Sequence, residues 1–145
     1  NDWVLGYGYD ESDLDTTQPL DRSILDLASS DHPIKLTHRS GHITILNSKA
    51  LESARVDSQT IDPLSGIICR YEDSTTPTGV FLDCEDFLKD RLGHTLDHQQ
   101  FIQAMGNTSE SLSQYGITSI QDAGYTNDKA HWDTFVELIN SDLMP

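Results

Sequence analysis

The chain has 145 residues, enough for one compact domain that buries about two-thirds of the surface exposed in its unfolded state. Its 24 acidic and 9 basic residues give a formal net charge of -15, which argues against partners such as nucleic acid or an anionic membrane surface. No apolar run approaches the ~20 residues that span a bilayer, and no signal peptide opens the chain, so we expect a cytoplasmic protein.

The first predicted elements alternate strand and helix. Trp3–Tyr9 is aromatic and apolar and predicts a strand that runs into a loop. Pro19 suits the first turn of a helix that continues to Ala28, because a proline there lacks only an N–H that has no partner in any case. Pro33–His38 predicts a second short strand.

The next segment combines a polar cluster with a periodic apolar run. Apolar or small residues recur at helical spacing, at positions Ile43, Leu46, Ala50, Leu51 and Ala54. The β-branched residues at 43–45 favour a strand, but propensity is the weaker signal. We therefore predict a helix over this run, with Ser40 as its N-cap.

The second half of the chain predicts a hairpin followed by helices. Two apolar runs, 66–71 and 78–82, flank the turn-rich segment EDSTTP and predict a β-hairpin. Asp83 is the expected N-cap of a helix ending at Leu92. A helix capped by Thr95 is predicted to stop at 115–116, and a strand to follow at Ile117–Ile120. A last helix is expected from Thr126 or Asn127.

Two cysteines, Cys69 and Cys84, flank the predicted hairpin. They could lie opposite each other, which leaves a disulfide open, but two reduced and half-buried thiols are the better expectation for a cytosolic protein. His94 and His98 have the i, i+4 spacing of a zinc half-site. The segment HTLDH lacks the glutamate of HExxH, so we interpret these histidines as exposed side chains at a helix start.

Candidate substrate-binding residues concentrate where the second strand is predicted to meet the long helix. His38, Arg39 and His42 place two imidazoles and a guanidinium there. A histidine beside a helix N-terminus tends to stay neutral, which would suit polarising a substrate carbonyl or holding a carboxylate. The alternative is that Arg39 and His42 form ion pairs with nearby acidic loops. Asp122, just after the predicted strand, is either a pocket carboxylate or a loop cap.

The order of several segments resembles one known family. These segments are WVLGYGYDES, PLDRSILDLASSDHPIKLTHRSGH, NSKALESA, DPLSGIICRYEDSTTPTG and GITSIQDAG. In this order they resemble the amidohydrolase family 3 (YtcJ-like) enzymes, which include proteins similar to N-substituted formamide deformylase and proteins named exoenzyme regulatory proteins. Carried over residue by residue, His42 and Asn47 match the GH…NS motif of the family, and Asp122 matches an aspartate after a barrel strand.

The resemblance implies a fold and an activity. Family members are several times longer and have a metal-dependent TIM-barrel hydrolase domain. The resemblance thus implies a mixed α/β piece of such a hydrolase, with an insertion after the first barrel strand (residues 1–92) and a barrel helix–strand–helix (93–145), together one compact unit. It also implies hydrolysis of C–N bonds in small-molecule amides by the longer protein. Its divalent metal, zinc, would be held by residues outside this segment, which would bind no metal itself.

Departures and alternatives complete the sequence-based expectations. The family usually has Trp, Asp, Gly and Glu at the positions of Tyr9, Ser40, Thr76 and Asp83, which bears on the substrate more than on the fold. A different class of function is an acidic interaction or regulatory module without catalysis, suggested by the charge. The lone barrel strand would leave exposed edges, so we expect it either to join the hairpin in a small mixed sheet or to support a homodimer.

Overall fold

The computed structural model describes residues 3–14, 18–92, 98–122, 129–141 and 143. The chain divides into two compact units, Asn1–His94 and Thr95–Pro145, which are called the first and second unit below. Thr95, Thr126, Asn127 and His94, which were predicted as helix caps or as half of a zinc site, lie outside the described residues. Among the described residues, no helix combines the length and apolar character that crossing a membrane requires.

The first unit is built on a mixed five-stranded sheet. Its strands are β1 (Val4–Tyr9), β2 (Ile34–His38), β3 (Ile43–Leu46), β4 (Ile67–Arg70) and β5 (Pro77–Leu82). They lie in the order β1-β2-β3-β5-β4, with β1 parallel to β2 and every other neighbouring pair antiparallel. The strands predicted near the N-terminus and the predicted hairpin are confirmed.

Both faces of this sheet carry apolar side chains. On one face Leu46, Ile68 and Phe81 pack against α2 (Ser48–Ser53) and α3 (Glu85–Leu92). On the other face Ile34 and Ile45 pack beneath α1 (Arg22–Ala28), which contributes the buried Leu25. Because successive residues of a strand point to opposite faces, Ile45 and Leu46 belong to different cores.

The predicted long helix from residue 43 is wrong in its first turn, because Ile43–Leu46 is the central strand β3. This strand pairs with β2 on one side and β5 on the other and is covered on both faces. A strand that is buried on both faces has no clear alternation of apolar and polar residues. Its apolar residues, taken together with those of the following helix, therefore fall at helical spacing and predict one longer helix.

Asn47, and not Ser40, caps the helix that follows. Its side-chain oxygen accepts hydrogen bonds from the N–H groups of Ala50 and Ile34, both at 2.9 Å. Its amide nitrogen donates to the carbonyl oxygens of Ser29 and His32, also at 2.9 Å. The fully buried Asn47 therefore joins three segments of the first unit, a structural role.

Two other predicted helix starts in the first unit are displaced. α1 begins at Arg22, with the Asp21 carboxylate accepting from the Ser23 N–H at 2.8 Å, so Pro19 precedes the helix. α3 begins at Glu85, and Asp83, its predicted N-cap, directs its carboxylate to a histidine instead. Both cysteines are free: Cys84 is buried and Cys69 is half-buried. Burial raises the pKa of both thiols.

The second unit contains α4 (His98–Gln114) and α5 (Lys129–Asn140). α4 ends as predicted at Gly116, which has φ 76°. The N–H of Ile117 donates to the Leu112 carbonyl at 3.2 Å and that of Gly116 to Ser113 at 2.9 Å, the pattern of a Schellman motif. The strand predicted at Ile117–Ile120 is wrong: these residues form no strand, since the part of the second unit that is described offers no neighbouring strand to pair with.

Candidate functional site

The turn between β2 and β3, residues 38–42, carries three of the candidate residues and is called the basic turn. The N–H of Gly41 donates to the His38 carbonyl at 2.9 Å, and Gly41 has φ 77°, a value that favours glycine. The Ser40 hydroxyl accepts from the His42 N–H at 3.2 Å and contacts His38 Nδ1 at 2.8 Å. These hydrogen bonds within the turn stabilise it and hold His38, Arg39 and His42 together at one end of the sheet.

His38 is held in place by β1. Its ring lies edge-on to that of Tyr9, with centroids 5.1 Å apart and planes at 78°. Its Nδ1 accepts the Ser40 backbone N–H at 3.1 Å, and its Nε2 lies 3.2 Å from Glu11 Oε2. A neutral imidazole whose Nδ1 accepts carries its proton on Nε2, so His38 donates to Glu11.

Arg39 forms an ion pair with Asp10, whose carboxylate also accepts hydrogen bonds from a neighbouring serine. Arg39 Nε lies 2.5 Å from Asp10 Oδ2, and the Arg39 N–H donates to the Tyr9 carbonyl at 3.0 Å. The other oxygen of Asp10 accepts the hydroxyl and the backbone N–H of Ser12, at 2.6 and 2.8 Å. These Ser12 bonds, followed by the charge of Arg39, keep the pKa of Asp10 below its usual value.

Tyr9 supports the same arrangement as a neutral side chain. Burial, with the charge of nearby Glu11 adding to it, raises the pKa of Tyr9 to about 12. Its phenol thus stays protonated across the physiological range. Tyr9 and Glu11 also line an open cavity of about 480 Å³ on the sheet face below α1, together with the apolar Ile43, Val80 and Leu82. Its size is that of a small-molecule pocket.

His42 forms the third pair of the basic turn. Its Nδ1 lies 2.6 Å from Asp83 Oδ1, and its carbonyl accepts the Asp83 N–H at 2.8 Å. Both side chains are largely exposed, at 61% and 58%. Asp83 has φ 52°, which is uncommon for a residue other than glycine.

A group with metal-ligand chemistry lies beside the basic turn. One atom each of Asp10, Glu11 and His38 falls within 4.8 Å of the others. The group does not fit a resident metal ion, because Arg39 and Ser12 already occupy Asp10 and because His38 Nε2 carries the proton donated to Glu11. We therefore interpret the group as an ion-pair network.

The structure brings three of the four candidate residues together. His38, Arg39 and His42 share the basic turn, and each faces a carboxylate, as the ion-pair alternative anticipated. Asp122 belongs to the second unit, where it is exposed and follows no strand. His98 also belongs to the second unit, and its Nε2 lies 3.0 Å from Glu137 Oε2.

The acidic partners were not anticipated as site residues. Asp10 and Glu11 read as part of an acidic loop, and Asp83 as a helix cap. The parallel pairing of β1 and β2 sets Tyr9 against His38 and so brings Asp10 to Arg39. The spacing of Asp10 and Ser12 is typical of an Asx turn and was the one local signal available.

The two imidazoles and the guanidinium of the basic turn each face one carboxylate. Even with both imidazoles protonated, these six side chains carry no net positive charge. A site of this composition does not attract an anionic substrate group. This charge balance argues against the holding of a carboxylate, one of the two uses that the sequence left open.

Comparisons with known proteins agree on one family. The model of the amidohydrolase family matches residues 1–145. The chain is 29% identical over 138 residues to a Bacillus subtilis (strain 168) protein named "Putative amidohydrolase YtcJ", covering 86% of this chain and 26% of that protein. It is 29% identical over 140 residues to the Arabidopsis thaliana protein LONG AFTER FAR-RED 3, covering 94% of this chain and 24% of that protein.

Two solved structures have a similar fold. They are uncharacterised metal-dependent hydrolases, from Pyrococcus furiosus (TM-score 0.51, 18% identity) and from Pyrococcus horikoshii OT3 (TM-score 0.55, 16% identity). The similarity covers 98% and 97% of this chain and 27% and 26% of theirs. The chain thus spans about a quarter of the length of each protein it matches.

Proposed function

The chain belongs to the amidohydrolase family, and from this premise we propose that it is a segment of a metal-dependent hydrolase that cleaves C–N bonds of small, uncharged amides. In such an enzyme a divalent metal, zinc in our proposal, activates the water that attacks the amide carbonyl. The observation that carries the proposal is the match of the family to the whole chain.

Within that enzyme we assign the segment to the wall of the substrate pocket, beside the mouth of a TIM barrel. The basic turn offers hydrogen-bonding groups without net positive charge, and an open cavity elsewhere in the first unit is lined in part by Ile43, Val80 and Leu82. An amide with an apolar substituent matches both features. His38 and Arg39 are engaged by β1 and the residues after it, so their contribution is to shape the turn, whereas His42 is exposed enough to touch a ligand.

The metal ligands lie elsewhere in this proposal. Among the described residues, Asp10, Glu11 and His38 form a group with metal-ligand chemistry, and that group does not fit a resident ion because its members are engaged by Arg39, Ser12 and one another. Asp122 lies in the second unit, and a substrate-binding role for it stays a prediction that rests on its match to the family motif alone.

The test uses the longer protein that carries this chain, with a small N-substituted amide as substrate. Chelation should abolish hydrolysis, and added zinc should restore it. His42→Ala should lower kcat/KM about tenfold, the effect of losing one hydrogen bond to substrate, without lowering the metal content measured by elemental analysis.

The matched control is His98→Ala, since His98 has a similar exposure and also pairs with a carboxylate, but in the second unit. It should leave kcat/KM unchanged. Hydrolysis that survives complete removal of metal would contradict the proposed reaction class. Unchanged kinetics in His42→Ala would remove His42 from the pocket.

A further inference from the structure

We propose that Asp83 is a positioning residue for His42: it holds the imidazole in the Nδ1–H tautomer, so that Nε2 is presented to substrate as a hydrogen-bond acceptor for an amide N–H. This inference rests on the proposed function for the identity of the ligand. It concerns a residue that the sequence indicated as a helix cap and as a departure from the family pattern.

The two residues are joined twice, once through side chains and once through backbone. His42 Nδ1 lies 2.6 Å from Asp83 Oδ1, and the Asp83 N–H donates to the His42 carbonyl at 2.8 Å. The pair closes the ladder between β3 and β5, whose last register pair is Ile43 with Leu82. Because both residues are anchored to neighbouring strands, their backbones stay close together and keep the imidazole within reach of the carboxylate.

The chemistry of the pair determines which nitrogen faces outward. An ionised carboxylate only accepts hydrogen bonds, so His42 Nδ1 must carry the proton that Asp83 accepts. In the neutral ring Nε2 then has a free lone pair. Within the described part of the chain, no group hydrogen-bonds to this Nε2, and the side chain is 61% exposed. The outward atom is therefore an acceptor, suited to an N–H donor and not to a carbonyl oxygen.

The other imidazole of the basic turn has the opposite arrangement. His38 accepts the Ser40 N–H at Nδ1 and donates from Nε2 to Glu11, so both of its nitrogens are used inside the protein. His98 likewise directs Nε2 to a carboxylate. Of these three described histidines, His42 alone pairs through Nδ1 with a carboxylate and turns Nε2 to solvent.

Stability does not account for the Asp83 contact. Exposed pairs of this kind contribute little to the stability of the fold. Asp83 has φ 52°, a conformation that glycine adopts at lower energy and aspartate only tolerates. Arg55 and Asp73 have a similar positive φ, so what sets Asp83 apart is its pairing with His42.

The direct test is the tautomeric state of each histidine, read by long-range ¹H–¹⁵N NMR on this 145-residue chain at about pH 8.5, above the usual imidazole pKa. His42 should appear as the Nδ1–H tautomer, and His38 and His98 as Nε2–H. In Asp83→Gly, which removes the carboxylate and suits the positive φ, His42 should shift toward Nε2–H. In Asp83→Glu, which keeps a carboxylate that only accepts, His42 should keep Nδ1–H.

The control Glu137→Gln alters the partner of His98 and should leave the His42 signals unchanged. Native His42 in the Nε2–H form would overturn the proposal, as would identical His42 spectra for the native chain and Asp83→Gly. Both readings concern this chain alone and hold whatever reaction the longer protein catalyses.

A kinetic comparison in the longer protein tests the substrate contact. Asp83→Gly should lower kcat/KM toward the value of His42→Ala, about tenfold below native, with unchanged metal content, and Asp83→Glu, which keeps the accepting carboxylate, should retain most of the native value. Native kcat/KM in Asp83→Gly would overturn the role of the pair toward substrate. Insensitivity to chelators would instead overturn the proposed function and would leave the tautomer result as it stands.

Discussion

The two units of the chain differ in where their apolar side chains go. In the first unit, five strands and three helices enclose two cores that contain fully buried side chains such as Leu46, Ile68 and Phe81. Among the described residues of the second unit, Leu138 is the only buried side chain, and Trp132 and Ile139 are 67% and 58% exposed. The difference teaches that the folding energy of this chain, and the rigidity of its candidate site, come mainly from the sheet.

The strongest test of this comparison removes a phenylalanine from each unit. Phe81 lies in β5, the strand between β3 and β4, and its ring is fully buried. Phe81→Ala should lower the free energy of unfolding of the first unit by about 3–5 kcal/mol. Phe135→Ala removes a half-buried ring from α5 and should cost about 1–2 kcal/mol.

The chain offers a fluorescent probe in each unit, since its two tryptophans are Trp3 and Trp132. Urea unfolding of variants with Trp132→Phe or Trp3→Phe would follow each unit separately. Equal losses from the two Phe→Ala changes would contradict the unequal packing of the units.

The next largest effect is expected from the buried asparagine. Asn47→Ala removes four hydrogen bonds and leaves buried backbone groups, including the Ile34 N–H, without a partner. We expect a loss of about 2–4 kcal/mol in the free energy of unfolding. Asn107→Ala, on the exposed face of α4, should change it by less than about 1 kcal/mol. Similar unfolding midpoints for the two variants would remove Asn47 from the structural role assigned to it.

A pair of glycines with positive φ separates backbone strain from crowding. Gly79 in β5 has φ 90°, and a Cβ there would lie 2.8 Å from Arg22 Cβ and also meet the Leu46 carbonyl oxygen. Gly116 has φ 76° with open space around it. Gly116→Ala should thus cost about 1–2 kcal/mol for strain alone, and Gly79→Ala roughly 2–3 kcal/mol because overpacking adds to it. Equal losses in the free energy of unfolding, measured by heat or urea, would show that β5 accommodates the added methyl group without a cost from crowding.

The smallest effect concerns charge in the first unit. The folded chain holds the pKa of Asp10 below its ordinary value of 3.8, so the ionised carboxylate stabilises the folded state above that pH. This stabilisation is lost as pH falls through the lower folded pKa. Asp10→Asn should lower the urea midpoint at neutral pH, and the gap from native should close as pH falls below about 3.8.

Asp133→Asn is the matched control for Asp10→Asn, since Asp133 forms only an exposed i, i+4 pair with Lys129 in the second unit. It should change the urea midpoint little at any pH. A gap between native and Asp10→Asn that persists unchanged at low pH would show that Asp10 acts through packing and not through its charge.

Much of the secondary structure follows from local sequence signals. The turn residues around the hairpin, the glycine after α4 and the apolar strand near the N-terminus each specify their structure through nearby backbone chemistry. The misassigned segments lie where pairing partners decide. Ile43–Leu46 is a strand because β2 and β5 flank it, and Ile117–Ile120 is not one because the described second unit supplies no partner.

The candidate site divides in the same way. The cluster of His38, Arg39 and His42 is visible in the sequence because a tight turn keeps neighbouring residues together. Their acidic partners are not visible in the sequence. Asp83 lies 41 positions from His42 and comes close to it only because of the register of β3 with β5. The Asp10 carboxylate likewise meets Arg39 through the parallel pairing of β1 with β2.

By itself the sequence determined the family, the acidic character and the local elements, since these depend on composition, on ordered motifs and on contacts between near neighbours. The tertiary structure alone decided which carboxylate neutralises each basic group and which nitrogen of His42 faces outward. The physical reason is that hydrogen bonds and ion pairs act over a few ångströms, and strand register, which no local signal specifies here, sets those distances.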